Sequence, residues 1–393
     1  MEIPFGYGDY SSQLLIFFFH GLVFTILVLH NGIVHKNRAS KLLALLLFLC
    51  TLYLVPYMLG YAGWYNGGWT RATLFFVPFM QVLLIGPVVY FYTRSLLNRD
   101  FKITRKDFYH FLPAILYGIY SLVVFVVDKL ILDEYYFYAN QRDKDLAGWY
   151  QTAGLISMTI YLVLSLRHYS AYKKLIYEQV SYADSMLFKW IRNFLIAFLL
   201  LLVLRLLLFI YNSGWGNFGS QYWYYRYFAW VFLYISIAGY ANAIRQAALG
   251  AEKLSPINVF EEEVEEENNG NKSLLSSQEI QQWKSSLENL MTQEELFKNP
   301  RLTLRDVAQK LETTTKTISA VVNSGFNMNF NDFVNHYRIE AIKQKMENQE
   351  HLTTTLLGIA YDAGFNSKAT FNRAFKKYTS LSPKEYLDQM KGN

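Results

Sequence analysis

The strongest constraint on the fold is a series of seven apolar segments within the first 250 residues. A helix that crosses a bilayer needs about 20 consecutive residues that are mostly apolar. Hydrophobic residues make up 52% of the chain and charged residues only 17%. The apolar segments lie at about 13–34, 40–60, 72–93, 109–128, 149–166, 190–211 and 223–244. Residues 1–250 are therefore predicted to be all-α, a seven-helix transmembrane bundle.

The basic residues of the loops predict the orientation of this bundle. Lysine and arginine accumulate in cytoplasmic loops. Here they are concentrated in the first, third and fifth loops, while the alternate loops are poorer in them or balanced by acidic residues. The residues are Lys36, Arg38 and Lys41, then Arg94, Arg99, Lys102, Arg105 and Lys106, then Arg167, Lys173 and Lys174. An odd number of spans then places the N-terminus outside and the C-terminus in the cytoplasm.

Two polar residues within the predicted spans, Gln81 and Arg205, are candidates for sensing a ligand. An ionisable side chain inside a membrane commonly faces the bundle interior and has a function. The alternative for Arg205 is a side chain that extends to the outer lipid headgroups. We favour this alternative, because Arg205 lies in the outward half of its predicted span and has no carboxylate partner there.

An acidic segment separates the apolar region from the rest of the chain. Residues 261–267 contain six glutamates, and like charges without apolar periodicity are typical of a disordered linker, here predicted over 251–272. A connecting helix is predicted over 273–299, and its stripe is too short to indicate a coiled coil, so packing on the C-terminal domain is favoured. The stripe consists of Ile280, Trp283, Leu287, Leu290 and Met291.

Near the C-terminus, the stretch from Ile359 to Lys377 has the pattern of two short helices joined by a tight turn. Gly364 can supply the positive φ that a sharp reversal requires. Ser367 is a good N-cap for the second helix. Phe371, Ala374, Phe375 and Tyr378 then recur at helical spacing and predict a buried face. The opposite face is polar and basic, with Lys368, Thr370, Asn372, Arg373, Lys376 and Lys377.

A helix of this kind suits the major groove of DNA, where arginine can bind guanine through two hydrogen bonds and lysine neutralises phosphates. A basic surface helix without a DNA-binding role is the alternative. The spaced residues resemble the second helix-turn-helix of the AraC/XylS family of bacterial transcription factors. They are Ile359-Ala360, Gly364-Phe365, Ser367, Phe371, Arg373, Phe375-Lys376-Lys377, Ser382-Pro383 and Tyr386.

The resemblance implies an AraC-type double helix-turn-helix domain over 300–393. The first unit would contain Leu302, Leu304, Val307, Ala308 and Leu311, and a recognition helix with Ile318, Val321 and Val322 buried. A linker helix from about 331 to 346, with Phe333, Val334, Tyr337 and Ile342 inward, would hold both recognition helices in successive major grooves. Segments at 86–92 and 110–113 are also similar to membrane-embedded regulators of this family in Bacteroidota-type bacteria.

The chain departs from the family pattern at three positions. Ala320 stands where relatives often carry a long base-reading side chain, so the first half-site is expected to be read more weakly. Ser380 stands where glycine is usual, and Leu387 where arginine is usual. The expected DNA-binding residues are Lys316, Thr317, Ser319 and Asn323 in the first unit and Lys368, Thr370, Asn372, Arg373, Lys376 and Lys377 in the second. Of these, Lys316, Ser319, Lys368, Thr370 and Arg373 are expected at bases, and Lys376 and Lys377 at phosphates.

These features predict a membrane-bound one-component transcription regulator in the bacterial inner membrane, with its DNA-binding domain in the cytoplasm. The expected partners are promoter DNA, the lipid bilayer, an unidentified signal and, as a further candidate, a second copy of the chain. No enzymatic activity, cofactor or metal is expected. The alternative is a transporter or channel that carries a regulatory DNA-binding domain, although interior polar groups and repeated halves are not evident.

Overall fold

The computed structural model describes residues 6–98, 101–139, 143–183, 189–211, 218–248 and 276–392. Within these ranges every regular element is a helix, and extended pairing is limited to one isolated antiparallel bridge. The predicted all-α class is therefore confirmed. Contacts divide the chain into two compact units, Met1–Tyr169 with Lys189–Ile257, and Ser170–Phe188 with Asn258–Asn393.

The first unit contains apolar helices of very different burial. Helix α2 is buried along most of its length, whereas α1 leaves large apolar side chains such as Ile16, Val23 and Ile26 more than half exposed. The helices of this part of the chain are α1 (Asp9–Val34), α2 (Arg38–Tyr61), α3 (Gly68–Leu74), α4 (Val82–Leu97), α5 (Leu112–Phe125), α6 (Gly148–Gln179), α7 (Lys189–Tyr211) and α8 (Phe218–Ala248). The C-terminal end of α6, from Ser170, belongs to the second unit.

Six helical stretches in the described residues are long and apolar enough to cross a membrane. They are α1, α2, α6, α7, α8 and the continuous stretch Arg105–Ile131 that contains α5. The predicted number of seven is approximate, because the third predicted segment, 72–93, is not one helix. It is divided between α3 and α4, and α4 has only 16 residues.

Side chains of the same unit stabilise the break at 75–81. Pro78 lacks an amide hydrogen and disfavours a helical conformation at the residue before it. The main chain of Met80 is held by side chains instead: its N–H donates to Asp145 Oδ2 at 2.8 Å, and its carbonyl accepts from Tyr150 Oη at 2.7 Å. These bonds satisfy backbone groups that a continuous helix would have satisfied internally.

The second unit contains two small hydrophobic cores joined by one long helix, α12. Its N-terminal half contributes Phe330, Phe333 and Val334 to the first core, and its C-terminal half contributes Ile339, Ile342 and Met346 to the second. The helices of this unit are α9 (Ser277–Thr292), α10 (Leu304–Lys310), α11 (Thr315–Gly325), α12 (Phe330–Glu347), α13 (Leu356–Asp362), α14 (Lys368–Thr379) and α15 (Pro383–Gly392).

Helix α9 corresponds to the predicted connecting helix and packs on the first of these cores. Its residues Leu287, Leu290 and Met291 are buried there, and Trp283 lies at the margin. The interpretation that this stripe packs on the C-terminal domain is confirmed. The predicted acidic linker at 251–272 lies outside the described residues.

A short segment after α6 also belongs to the second unit. Val180 forms the antiparallel bridge with Thr303, and the Ser181 N–H donates to the Leu302 carbonyl at 3.0 Å. Val180, Ser181 and Ala183 are fully buried. From the sequence this segment was assigned to the 1–250 bundle, because loop residues give no periodic signal for such a contact.

Candidate nucleic-acid interface

The turn between α13 and α14 positions the second recognition helix. Gly364 has φ 93°, as predicted, and a Cβ atom at this position would lie 2.5 Å from the Phe297 carbonyl oxygen. Glycine is therefore required for two reasons, the left-handed backbone and the close approach of a neighbouring carbonyl. Ser367 then caps α14, since its side chain accepts from the Thr370 N–H at 3.2 Å.

The outward face of α14 carries five of the six polar residues predicted for it. Lys368, Asn372, Arg373, Lys376 and Lys377 are all exposed, while Phe371, Ala374 and Phe375 are buried in the second core. The amphipathic pattern seen in the sequence thus corresponds to the observed faces of the helix.

Thr370 is the exception, and its predicted place on the exposed face is wrong. Its side chain is buried, and its Oγ1 lies 2.9 Å from the Ser367 hydroxyl oxygen. Thr370 occupies the third helical position, where the side chain turns back toward the N-cap. Periodicity alone did not reveal this, because the hydroxyl is part of the cap.

Lys377 is already engaged in an ion pair. Its Nζ lies 2.6 Å from Asp332 Oδ2, at the start of α12. Next to it, the Tyr378 hydroxyl donates to the main-chain carbonyl of Asp332 at 2.6 Å. These contacts join the C-terminal half of α14 to the linker helix, and no pattern in the sequence predicted them. Binding of a phosphate by Lys377 therefore competes with an existing carboxylate partner.

The first recognition helix, α11, has the same plan with far less charge. Thr314 caps it by accepting from the Thr317 N–H at 3.1 Å, and Ile318, Val321 and Val322 are buried as predicted. Lys316 and Asn323 are exposed, while Thr317 and Ser319 are partly exposed. Lys316 is the only basic residue in α11. Ala320 is partly exposed and offers no hydrogen-bonding group.

Sequence reasoning missed Arg338, which lies on α12 between the two cores and is 1% exposed. Its Nε donates to the Phe297 carbonyl at 2.8 Å and its Nη2 to the Asn299 carbonyl at 2.7 Å. Burial lowers the pKa of Arg338 to about 9, so the guanidinium is still charged at neutral pH. One signal was available: Arg338 lies four residues from both Val334 and Ile342, on the inward face of α12.

In the apolar N-terminal unit, Arg205 faces the interior. The favoured prediction, that its side chain extends to the outer headgroups, is therefore wrong. Its side chain is 4% exposed, Nη1 donates to Gln221 Oε1 at 2.9 Å, and Nη2 donates to Gln151 Oε1 at 3.2 Å. The guanidinium carbon lies 4.5 Å from the centre of the Tyr224 ring. Two amide oxygens and an aromatic face are thus among the groups that hold the guanidinium.

Gln81 does not accompany Arg205 as an interior polar group. It stands immediately before α4, in the non-helical stretch, and its Nε2 donates to the Pro78 carbonyl at 2.8 Å. The amide therefore stabilises a turn, and the placement of Gln81 within a continuous span is wrong.

No cluster of three or more histidine, cysteine, aspartate or glutamate side chains suited to a metal ion is found among the described residues. The buried pair Asp143 and Asp145 is held by hydrogen bonds: Asp145 accepts from Met80 N–H and from Tyr117 Oη at 2.5 Å, and Asp143 accepts from Asp145 N–H. Desolvation raises the pKa of both carboxyls above the usual range. Donors within the protein thus satisfy these two buried carboxyl groups.

Comparison with known proteins identifies the C-terminal region. Residues 307–389, about a fifth of the chain, match a family model described as a helix-turn-helix domain, of the AraC type. The match extends from α10 into α15 and includes both recognition helices. No curated protein and no solved structure shows significant similarity to the chain.

Proposed function

We propose that this protein is a membrane-bound one-component transcription regulator, in which an apolar N-terminal bundle senses a signal and an AraC-type double helix-turn-helix domain binds promoter DNA. The observation that carries the proposal is α14, a capped helix that presents Lys368, Arg373 and Lys376 on one exposed face within the matched helix-turn-helix domain. A DNA-binding regulator of this type is typically not an enzyme.

The proposed DNA contacts are divided between the two units. In the second unit, Lys368, Asn372 and Arg373 approach base edges, and Lys376 and Lys377 bind phosphates. Thr370 is omitted, because it is buried at the cap. In the first unit the proposed contacts are Lys316, Thr317, Ser319 and Asn323. Operator affinity therefore depends mainly on the second unit.

The membrane part of the proposal is supported by the six long apolar stretches and by the apolar side chains that α1 leaves exposed. An exposed apolar surface of this extent is disfavoured in water and suits lipid. The loop charges favour an external N-terminus and a cytoplasmic C-terminus, where DNA is accessible.

Within the bundle, we propose that Arg205 contacts the signal or responds to it. An ionisable side chain buried within an apolar bundle commonly has a function there, and Arg205 is 4% exposed. Gln81 is not included, because its amide is used by a turn. A transporter or channel with a regulatory domain is the alternative function, and Arg205, enclosed at 4% exposure, gives it no specific support.

Chromatin pull-down of the tagged full-length protein tests the proposal. The wild type should recover discrete promoter regions, and Arg373→Ala should lose most of this enrichment while remaining in the membrane fraction. Lys384→Ala is the matched control, because it also removes one exposed charge but lies on α15, outside both recognition helices. Recovery of no discrete DNA by the wild type, or equal enrichment by Arg373→Ala, would contradict the assignment.

A further inference from the structure

The segment that follows α6 fills a prepared site on the second unit. Three consecutive interactions hold it: the Val180–Thr303 bridge, the Ser181 N–H to Leu302 carbonyl bond at 3.0 Å, and the Asn331 Nδ2 to Val180 carbonyl bond at 3.3 Å. Val180, Ser181 and Ala183 have no exposed surface. This is the degree of burial of a core element, not of a connecting loop.

Arg338 connects this segment to the DNA-binding domain through two hydrogen bonds to Ser181. The Ser181 Oγ accepts from Nη2 at 3.1 Å, and the Ser181 carbonyl accepts from Nη1 at 3.3 Å. The other acceptors are the Phe297 and Asn299 carbonyls and, at 3.4 Å, Asn335 Oδ1. No carboxylate forms an ion pair with Arg338 within the described residues. Without Ser181, a buried charged group would lose two of its acceptors.

The position of Arg338 connects both helix-turn-helix units. It lies on α12 between the residues of the first core and those of the second. Its guanidinium binds two carbonyls that precede α10, and its Cζ lies 5.6 Å from the centre of the Phe365 ring, in the turn before α14. Through these contacts, Arg338 influences how three parts pack together: the first helix-turn-helix unit, the linker helix α12 and the turn before α14.

The segment is also covalently continuous with a helix of the apolar region. Helix α6 runs without interruption from Gly148 to Gln179, immediately before Val180, and it is one of the stretches apolar enough to span a membrane. The main chain is thus a covalent connection through which a displacement of α6 would reach the segment. This step rests on the function proposed above, in which the apolar helices sense a signal.

We propose that residues Val180–Ala183 are an intramolecular ligand of the DNA-binding domain, and that α6 seats or withdraws this segment. When the segment is seated, it fixes the two recognition helices at the relative position that an operator with two half-sites requires. The seated state binds the complete operator tightly because the relative position of the two helices is preorganised. The withdrawn state leaves each helix-turn-helix unit able to bind its own half-site, with little cooperation between them.

A reversible cross-link in the full-length protein tests this proposal. Val180 and Thr303 are bridge partners, and antiparallel partners have Cα separations of about 4.5–5.5 Å, within the range that a disulfide spans. The only native cysteine, Cys50, is buried and is first replaced by Cys50→Ala. In that background, Val180→Cys with Thr303→Cys is purified in lipid nanodiscs, and binding is measured before and after reduction. The probes are the operator recovered by chromatin pull-down and each half of it alone.

The oxidised protein should bind the complete operator at least about threefold more tightly than the reduced protein, with unchanged affinity for single half-sites. Val180→Cys alone is the control and should not respond to reduction. Failure of the disulfide to form, or equal operator affinity in both states, overturns the proposal. A Cys50→Ala parent that binds no specific DNA instead overturns the proposed function itself, so the two failures are distinguishable.

Ser181→Ala provides a second test that needs no cross-link. It removes one acceptor from Arg338 and should weaken binding to the complete operator about three- to tenfold, again without effect on single half-sites. Ser285→Ala is the matched control, since this serine of α9 is exposed and its hydroxyl donates to the Gln281 carbonyl of its own helix. Equal losses for the complete operator and for the half-sites would contradict the proposed coupling.

Discussion

The first helix of each helix-turn-helix unit ends with the same hydrogen-bond pattern. The residue in the left-handed conformation differs between the two turns, and so does the reason for its presence. In the first turn, Glu312 N–H donates to the Gln309 carbonyl and Thr313 N–H to the Ala308 carbonyl, at 3.2 and 2.9 Å. In the second, Gly364 N–H and Phe365 N–H bond in the same way to Tyr361 and Ala360, at 2.9 and 3.0 Å. Both motifs place one residue in the left-handed region.

The difference lies in what surrounds that residue. Glu312, at φ 52°, is exposed, so its side chain is tolerated at a modest backbone cost. Gly364, at φ 93°, lies against the carbonyls of Phe297 and Lys298, where no side chain fits. The conformation of the first turn thus depends on its own residues alone, whereas the second turn also packs against the residues before α10. The more basic recognition helix is the one whose position depends on its neighbour.

The largest expected effect tests this difference directly. Gly364→Ala should destabilise α13 and α14 by about 2–5 kcal/mol, because alanine meets both the left-handed strain and the contact with the Phe297 carbonyl. Hydrogen exchange of the amides of these helices in the full-length protein measures the local free energy of opening.

Glu312→Gly is the matched control for Gly364→Ala. It relieves left-handed strain in the first turn without creating a contact, and it should change the stability of α10 and α11 by less than about 1 kcal/mol. A similar small change for Gly364→Ala would show that the second turn is as independent of its surroundings as the first.

The second prediction compares the two exposed faces. Arg373→Ala should weaken binding to the operator by about 1–3 kcal/mol and relax the preference at one base pair. Lys316→Ala, the corresponding loss of charge in the first unit, should cost less than about 1 kcal/mol, since α11 has no other basic residue to form a positive surface with it. Binding assays with operator variants measure both effects; a larger loss for Lys316→Ala would reverse the proposed division between the units.

Much of the second helix-turn-helix unit was predictable from sequence, because its turn, cap and helix faces are determined by neighbouring residues in the chain. The Gly364 turn, the Ser367 cap and the alternating faces of α14 each depend on residues within one turn of helix. Thr370 was misplaced because a hydroxyl can join a cap rather than follow the helical periodicity. Ser181 and Arg338 are 157 residues apart in the chain, and no local pattern indicates their contact. Arg205 was misjudged similarly, since its amide partners come from two other helices.

The third prediction concerns two adjacent lysines of α14 with different surroundings. An ion pair within the described residues holds Lys377 to Asp332, and none holds Lys376. The logarithm of affinity falls with the logarithm of salt concentration, and Lys376→Ala should therefore make this slope less steep by about 0.9, the value for one lost phosphate contact. Lys377→Ala should change it by less, because its contact with phosphate replaces the contact with Asp332. Equal slopes for the two variants would indicate that DNA does not distinguish them.

The smallest expected effect concerns the end of α14, where Ser380 has φ 64° although glycine suits such a position best. Its N–H donates to the Lys376 carbonyl at 2.9 Å, so the backbone bond is kept by any residue. Ser380→Gly should stabilise α14 by about 0.5–1 kcal/mol in hydrogen exchange and leave operator affinity unchanged. Ser382→Gly is the control and should destabilise slightly, because the Ser382 hydroxyl accepts from Glu385 N–H and caps α15. If Ser380→Gly also destabilised, the serine side chain would contribute more than the left-handed backbone costs, and the second unit would depend on local side-chain contacts as well as on its neighbours.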